Sequence, residues 1–78
     1  MLSSNLCKTA RTLLNWEQDK LSQLSGLSKQ TISNFESGRN IPQKSSLMLL
    51  EKIFKDYGIE FVLNDEVGIK GVILHQLV

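Results

Sequence analysis

The sequence predicts a mainly α fold of four to five short helices followed by a C-terminal β-hairpin, and three observations carry the prediction. Between Gln18 and Ser37, two short amphipathic patterns are hinged on Gly26. Two further segments, near Ser4–Leu14 and Gln43–Tyr57, repeat apolar residues every third or fourth position, the period of a helix with one buried face. After Gly58 the pattern shifts toward the alternation and branched residues of strands. Seventy-eight residues make one small domain, near the size where a single core is only marginally sufficient. Residues 1–58 are expected to form the helical domain and 59–78 a hairpin and tail extension.

Ser3 or Ser4 supplies the cap of a first helix running to about Leu14, with Leu6, Ala10, Leu13 and Leu14 as its inward stripe. Asn15 is the expected stop, since asparagine tolerates left-handed geometry better than most residues with a Cβ. Trp16 reads as a core anchor at the entry to the second helix. That helix presents Leu21 and Leu24 with the small Ser22 and Ser25 on one narrow side. Gly26 can take a positive φ without a Cβ clash and so turns the chain. Ser28 then caps a third helix in which Leu27, Ile32 and Phe35 point inward, and Ser28, Lys29, Gln30, Thr31, Ser33 and Asn34 are polar. Two helices joined by three or four residues containing glycine are a helix-turn-helix.

The stretch Ser37–Pro42 reads as a loop rich in turn formers. A fourth helix starts near Gln43–Ser45 and ends at Tyr57, with Gly58 beyond it. Leu47, Leu50 and Phe54 form its stripe, but Met48 and Leu49 make the apolar run continuous. One helix face cannot hold such a run, so a second surface must cover Met48 or Leu49. Ile59–Leu63 reads as a strand, Asn64–Gly68 as turn residues and Ile69 to Leu74 as the return strand. A hairpin alone is marginal in water, so it must pack on something.

The run Thr31-Ile32-Ser33-Asn34-Phe35-Glu36-Ser37-Gly38-Arg39, closed by Pro42, together with Gln18, Leu21 and Gly26, resembles the Cro/repressor-like (XRE) family of bacterial and phage DNA-binding proteins. The resemblance covers roughly Leu6 to Gly58 and implies a lambda-repressor-like DNA-binding domain. Gly58-Ile59-Glu60-Phe61 with Gly71-Val72-Ile73-Leu74 is similar to an extension that many members carry. Two positions depart from the family pattern. Ser22 replaces the usual alanine and is expected to fit by bonding its hydroxyl back to its own helix. Glu17 replaces serine or threonine and is a poorer N-cap.

Formal net charge is only +1, but it is unevenly placed. Residues 1–44 carry six basic against three acidic side chains, and residues 45–78 three against five. The basic excess therefore falls on the half containing the helix-turn-helix, the sign that a phosphate backbone requires. Cys7 is the one cysteine, and with no second thiol it forms no internal disulfide and no structural zinc site. His75 is equally alone, and no nucleophile–base set, carboxylate pair or glycine-rich phosphate loop can be assembled. The expectation is a protein without enzymatic activity or cofactor. No run of eighteen apolar residues is present and the opening MLSSNLCKTAR does not read as a leader, so no membrane association and a cytoplasmic setting are expected.

By the groove geometry of this motif, Ser28, Lys29, Gln30, Ser33, Asn34 and Ser37 are the expected base-reading residues. Lys29 suits guanine O6 and N7; Gln30 and Asn34 suit adenine N6 and N7. Gln18 opens a helix whose N–H groups favour a phosphate, and the family resemblance implies Thr31, Arg39, Asn40, Lys44 and Arg11 as further phosphate contacts. The family resemblance also implies an ion pair between Arg11 and Glu36. The resulting expectation is a transcriptional regulator, a repressor, binding double-stranded DNA at a pseudo-palindromic operator as a homodimer. Met48, Leu49 and the apolar tail, including Leu77 and Val78, would hold the two subunits together. The alternative is an antitoxin-like module of a toxin–antitoxin pair, in which the hairpin or tail binds another protein.

Overall fold

The computed structural model describes residues 1–64 and 68–75. Four helices, α1 (Ser4–Leu13), α2 (Gln18–Ser25), α3 (Lys29–Glu36) and α4 (Lys44–Asp56), are followed by β1 (Ile59–Asn64) and β2 (Gly68–Leu74). Each boundary has a local cause. Ser3 caps α1 by accepting from the Leu6 N–H at 3.2 Å. Asn15 ends that helix in the left-handed region, φ 60°. Glu17 gives α2 no side-chain cap, whereas Ser28 caps α3 by accepting from the Thr31 N–H at 3.0 Å. Gly26 makes the turn between α2 and α3 at φ 77° and donates its N–H to the Ser22 carbonyl.

Ser22 solves the helix contact differently from the expectation. Its hydroxyl donates forward to the Leu27 carbonyl at 2.6 Å, spanning the turn rather than bonding back within α2. The bond fixes the angle between the two helices, which an alanine methyl could not do. Leu13 also departs from expectation: it is exposed, and the inner face of α1 is made by the fully buried Cys7 and Ala10, with Leu6 and Leu14 half-buried. Leu2, ahead of the helix, completes that face.

The core joins Leu21, Ile32, Phe35, Leu47, Leu50, Ile53 and Phe54 from the helices to Ile59 and Phe61 from the hairpin. Trp16 stands at the entry to α2 as an aromatic anchor, with Phe54 at 6.1 Å and Tyr57 edge-on at 4.9 Å. The strands pair antiparallel, with Ile59 opposite Leu74 and Phe61 opposite Val72, and the register slips between Val62 and Leu63. β1 lies on α4 and β2 on α1, so the hairpin closes the same core that the helices begin. Gly58 permits this return. At φ 101° it accepts the His75 N–H, and a Cβ there would stand 2.6 Å from the His75 carbonyl oxygen.

Because Ile59 and Phe61 are buried within one chain, the apolar excess is smaller than the sequence suggests. Met48, Leu49, Leu63 and Ile73 remain exposed. The turn residues Asp65 to Val67 and the tail residues Leu77 and Val78 lie outside the described residues.

Candidate nucleic-acid interface

Helix α3 buries Ile32 and Phe35 and turns its other side outward. On that side Lys29, Gln30 and Ser37 are exposed and Ser33 and Asn34 half-buried. Ser28, at the cap, shares a 2.8 Å hydrogen bond between hydroxyls with Thr31. Lys29 Nζ lies 3.4 Å from Asp19 Oδ1, an exposed pair that leans the lysine toward α2. Gln30 Nε2 donates to Asn34 Oδ1 at 3.0 Å, one turn further along. The structure thus places six side chains of differing hydrogen-bonding character, Ser28 to Ser37, along one exposed ridge. Arg39 and Asn40 follow the helix end and Lys44 opens α4, all three exposed.

Behind the ridge, one carboxylate ties three helices together. Glu36 Oε2 accepts from Arg11 Nε and Oε1 from Arg11 Nη2, both at 2.9 Å, a two-pronged pair with side chains 4% and 13% exposed. Oε1 also accepts from Gln18 Nε2 at 3.1 Å, and the Cys7 thiol donates to Oε2 at 3.6 Å. Arg11 Nη1 reaches the Trp16 carbonyl at 2.6 Å, so three of its N–H donors face inward. Burial opposes the charge on Glu36, but hydrogen bonds from Arg11 and Gln18 and the guanidinium charge hold its pKa below the ordinary carboxylate range. The reciprocal bond from Glu36 raises that of Arg11.

Gln18 therefore has a role the sequence does not reveal. Its backbone opens α2, while its side chain braces Glu36 rather than facing outward freely. A recess of about 310 Å³ opens beside this network, lined by Lys8, Arg11, Gln18, Ser33, Glu36 and Ser37. Lys8 is the addition; its place one turn before Arg11 on α1 is the signal that could have found it. Among the described residues, no cluster of His, Cys, Asp and Glu is arranged to hold a metal.

Cys7 completes the site from the core side, where it is fully buried. Burial first, and the Glu36 charge second, push its thiol pKa far up. The thiol stays protonated in the fold while an unfolded thiol ionises near pH 8.5, so its contribution is complete below that pH and fades as pH rises through the folded value. Unfolding free energies from urea titrations should fall above about pH 8.5, by up to ~1.4 kcal/mol per pH unit. Cys7→Ala should lower stability at neutral pH and remove most of that alkaline slope. An unchanged slope would assign it to another group.

The ridge is an array of donors and acceptors on a rigid helix, and the network behind it fixes where the helix stands. A family model described as helix-turn-helix matches residues 8–62, well over half of the chain and inclusive of α2, α3 and α4. No curated protein matches the sequence.

Proposed function

This chain belongs to the helix-turn-helix family of DNA-binding regulators, of the Cro/repressor-like (XRE) type, and from that premise we propose that it is a cytoplasmic transcriptional repressor that reads a pseudo-palindromic operator as a homodimer. One observation carries the proposal: the outward ridge of α3, with Lys29, Gln30, Ser33, Asn34 and Ser37 opposite buried Ile32 and Phe35. In this motif the second helix lies in the major groove with its N-terminal residues over base edges. Lys29 donates to guanine, and the amide of Gln30 beside it matches adenine. Ser28 and Ser37 reach bases or sugar edges at the two ends of the ridge.

Phosphates on either side of the groove set the register without reading sequence. The backbone N–H groups at the start of α2, beside Gln18, face one strand, and the N–H groups of Arg11 that Glu36 and Trp16 leave over face the same phosphate from α1. Thr31, Arg39, Asn40 and Lys44 take the other side. The net charge of +1 is small for this task. Two linked subunits double the phosphate contacts, which makes dimerisation part of the affinity.

The dimer reading rests on Met48 and Leu49, 56% and 39% exposed on α4, with Leu63 and Ile73 exposed on the hairpin. A twofold interface buries the same patch on both subunits and sets two copies of α3 about one DNA turn (~34 Å) apart. Selection from a randomised duplex pool should return a site with two inverted half-sites at that spacing, bound with a steep salt dependence. Met48→Glu with Leu49→Glu should leave the fold intact, turn the protein monomeric in sedimentation and abolish cooperative binding. A selected site without twofold symmetry, or a wild-type protein monomeric both free and on DNA, would contradict the dimer.

A further inference from the structure

We propose that Asn34 is a positioning residue, holding the Gln30 amide so that Gln30 reads one adenine·thymine pair for both of them. The proposal rests on α3 as the DNA-reading helix and narrows how it reads. From the sequence, Gln30 and Asn34 are two equivalent amides, each suited to its own adenine. In the structure they are bonded to one another, Gln30 Nε2 to Asn34 Oδ1 at 3.0 Å. Two amides joined in this way do not lie over separate base edges.

Which of the two faces the base follows from reach and anchoring. Asn34 is half-buried, and its backbone carbonyl accepts from Arg39 N at 2.8 Å, Ser37 Oγ at 3.2 Å and Asn40 N at 3.3 Å. Its backbone is therefore clamped on the C-terminal side. Gln30 is exposed, one methylene longer, and nearer the end of the helix that enters the groove. A primary amide has two N–H donors and an oxygen with two lone pairs. After donating to Asn34, Gln30 keeps its oxygen for adenine N6 and one N–H for N7, the full pair of bonds adenine requires. Asn34 Oδ1 is directed along the helix toward Gln30. A long exposed amide otherwise loses rotamer freedom on ordering, and a partner that orders it beforehand removes part of that cost.

The test measures binding of the full chain to a duplex library for wild type, Gln30→Ala, Asn34→Ala, Asn34→Asp and the double alanine variant. Gln30→Ala should erase an adenine preference of about 5- to 150-fold at one position of each half-site. Asn34→Ala should weaken the preference at that same position by about 2- to 10-fold, the cost of immobilising one side chain. The double variant should match Gln30→Ala there. Asn34→Asp retains the acceptor, so it should keep the preference while lowering affinity for every duplex alike. Melting temperatures of all four variants should stay near wild type, which separates positioning from folding. An effect of Asn34→Ala at a different base pair, additive with Gln30→Ala, would overturn the proposal, as would loss of the preference in Asn34→Asp. If Gln30→Ala changes no preference anywhere, the reading of the ridge itself falls, and the role of Asn34 with it.

Discussion

Glu36→Ala is expected to destabilise the protein by about 3–5 kcal/mol, the cost of breaking a buried ion pair from one side. The carboxylate is 4% exposed and receives bonds from Arg11, Gln18 and Cys7. Its removal leaves the guanidinium with only the Trp16 carbonyl as partner and releases α3 from both α1 and α2. The exposed pair Lys52–Asp56, by comparison, contributes ~0–1 kcal/mol. A double-mutant cycle of Arg11→Ala and Glu36→Ala, read from urea midpoints at one protein concentration, should give a coupling well above that surface value. Zero coupling would mean that the pair is incidental.

The pair also sets an acid limit. The folded pKa of Glu36 lies below its unfolded value of about 4.3. Its contribution is therefore full above that pH and lost as pH falls through the folded value. Glu36→Gln keeps the shape, loses the charge, and should flatten the acid limb while leaving the alkaline one in place.

Phe54→Ala is the second large effect expected, about 3–5 kcal/mol from lost burial and an unfilled cavity. Phe54 is fully buried, lies at 6.1 Å from Trp16, and meets Phe61 edge-on at 6.4 Å. It thus couples the helical part to the hairpin. In the wild-type protein, helix signal and amide-exchange protection of the hairpin strands should be lost in one transition, because both units share this ring. Two separated transitions would show the hairpin to be an appendage rather than part of the core. In a domain this small, a loss of that size approaches the total stability of about 5–15 kcal/mol, so the measurement belongs at low temperature.

The parts of this fold that are legible in the sequence are those decided locally. Gly26 at positive φ, Ser28 at a cap and Asn15 in the left-handed region each follow from what one side chain permits its own backbone. Leu13 misleads because it matches the helical period while the packed side of α1 is set by Cys7 and Ala10. The choice between them depends on where β2 lies, which is a long-range fact. The same division holds at the interface. The ridge from Lys29 to Ser37 is visible in a period of 3.6 residues, whereas Gln18 and Cys7 meet Glu36 only through the tertiary fold. Nor does spacing alone show that Gln30 and Asn34 hold each other, since an i,i+4 pair of amides can equally face outward.

The most direct test of the central claim, that the outer ridge of α3 reads DNA, compares two alanine variants on one duplex library. Gln30→Ala should lose discrimination at particular base pairs, by about 1–3 kcal/mol each, and keep its salt slope. Arg39→Ala should weaken all sequences alike and reduce the salt slope by about one. Opposite patterns, or a Gln30→Ala variant whose relative affinities match wild type across the library, would contradict the account.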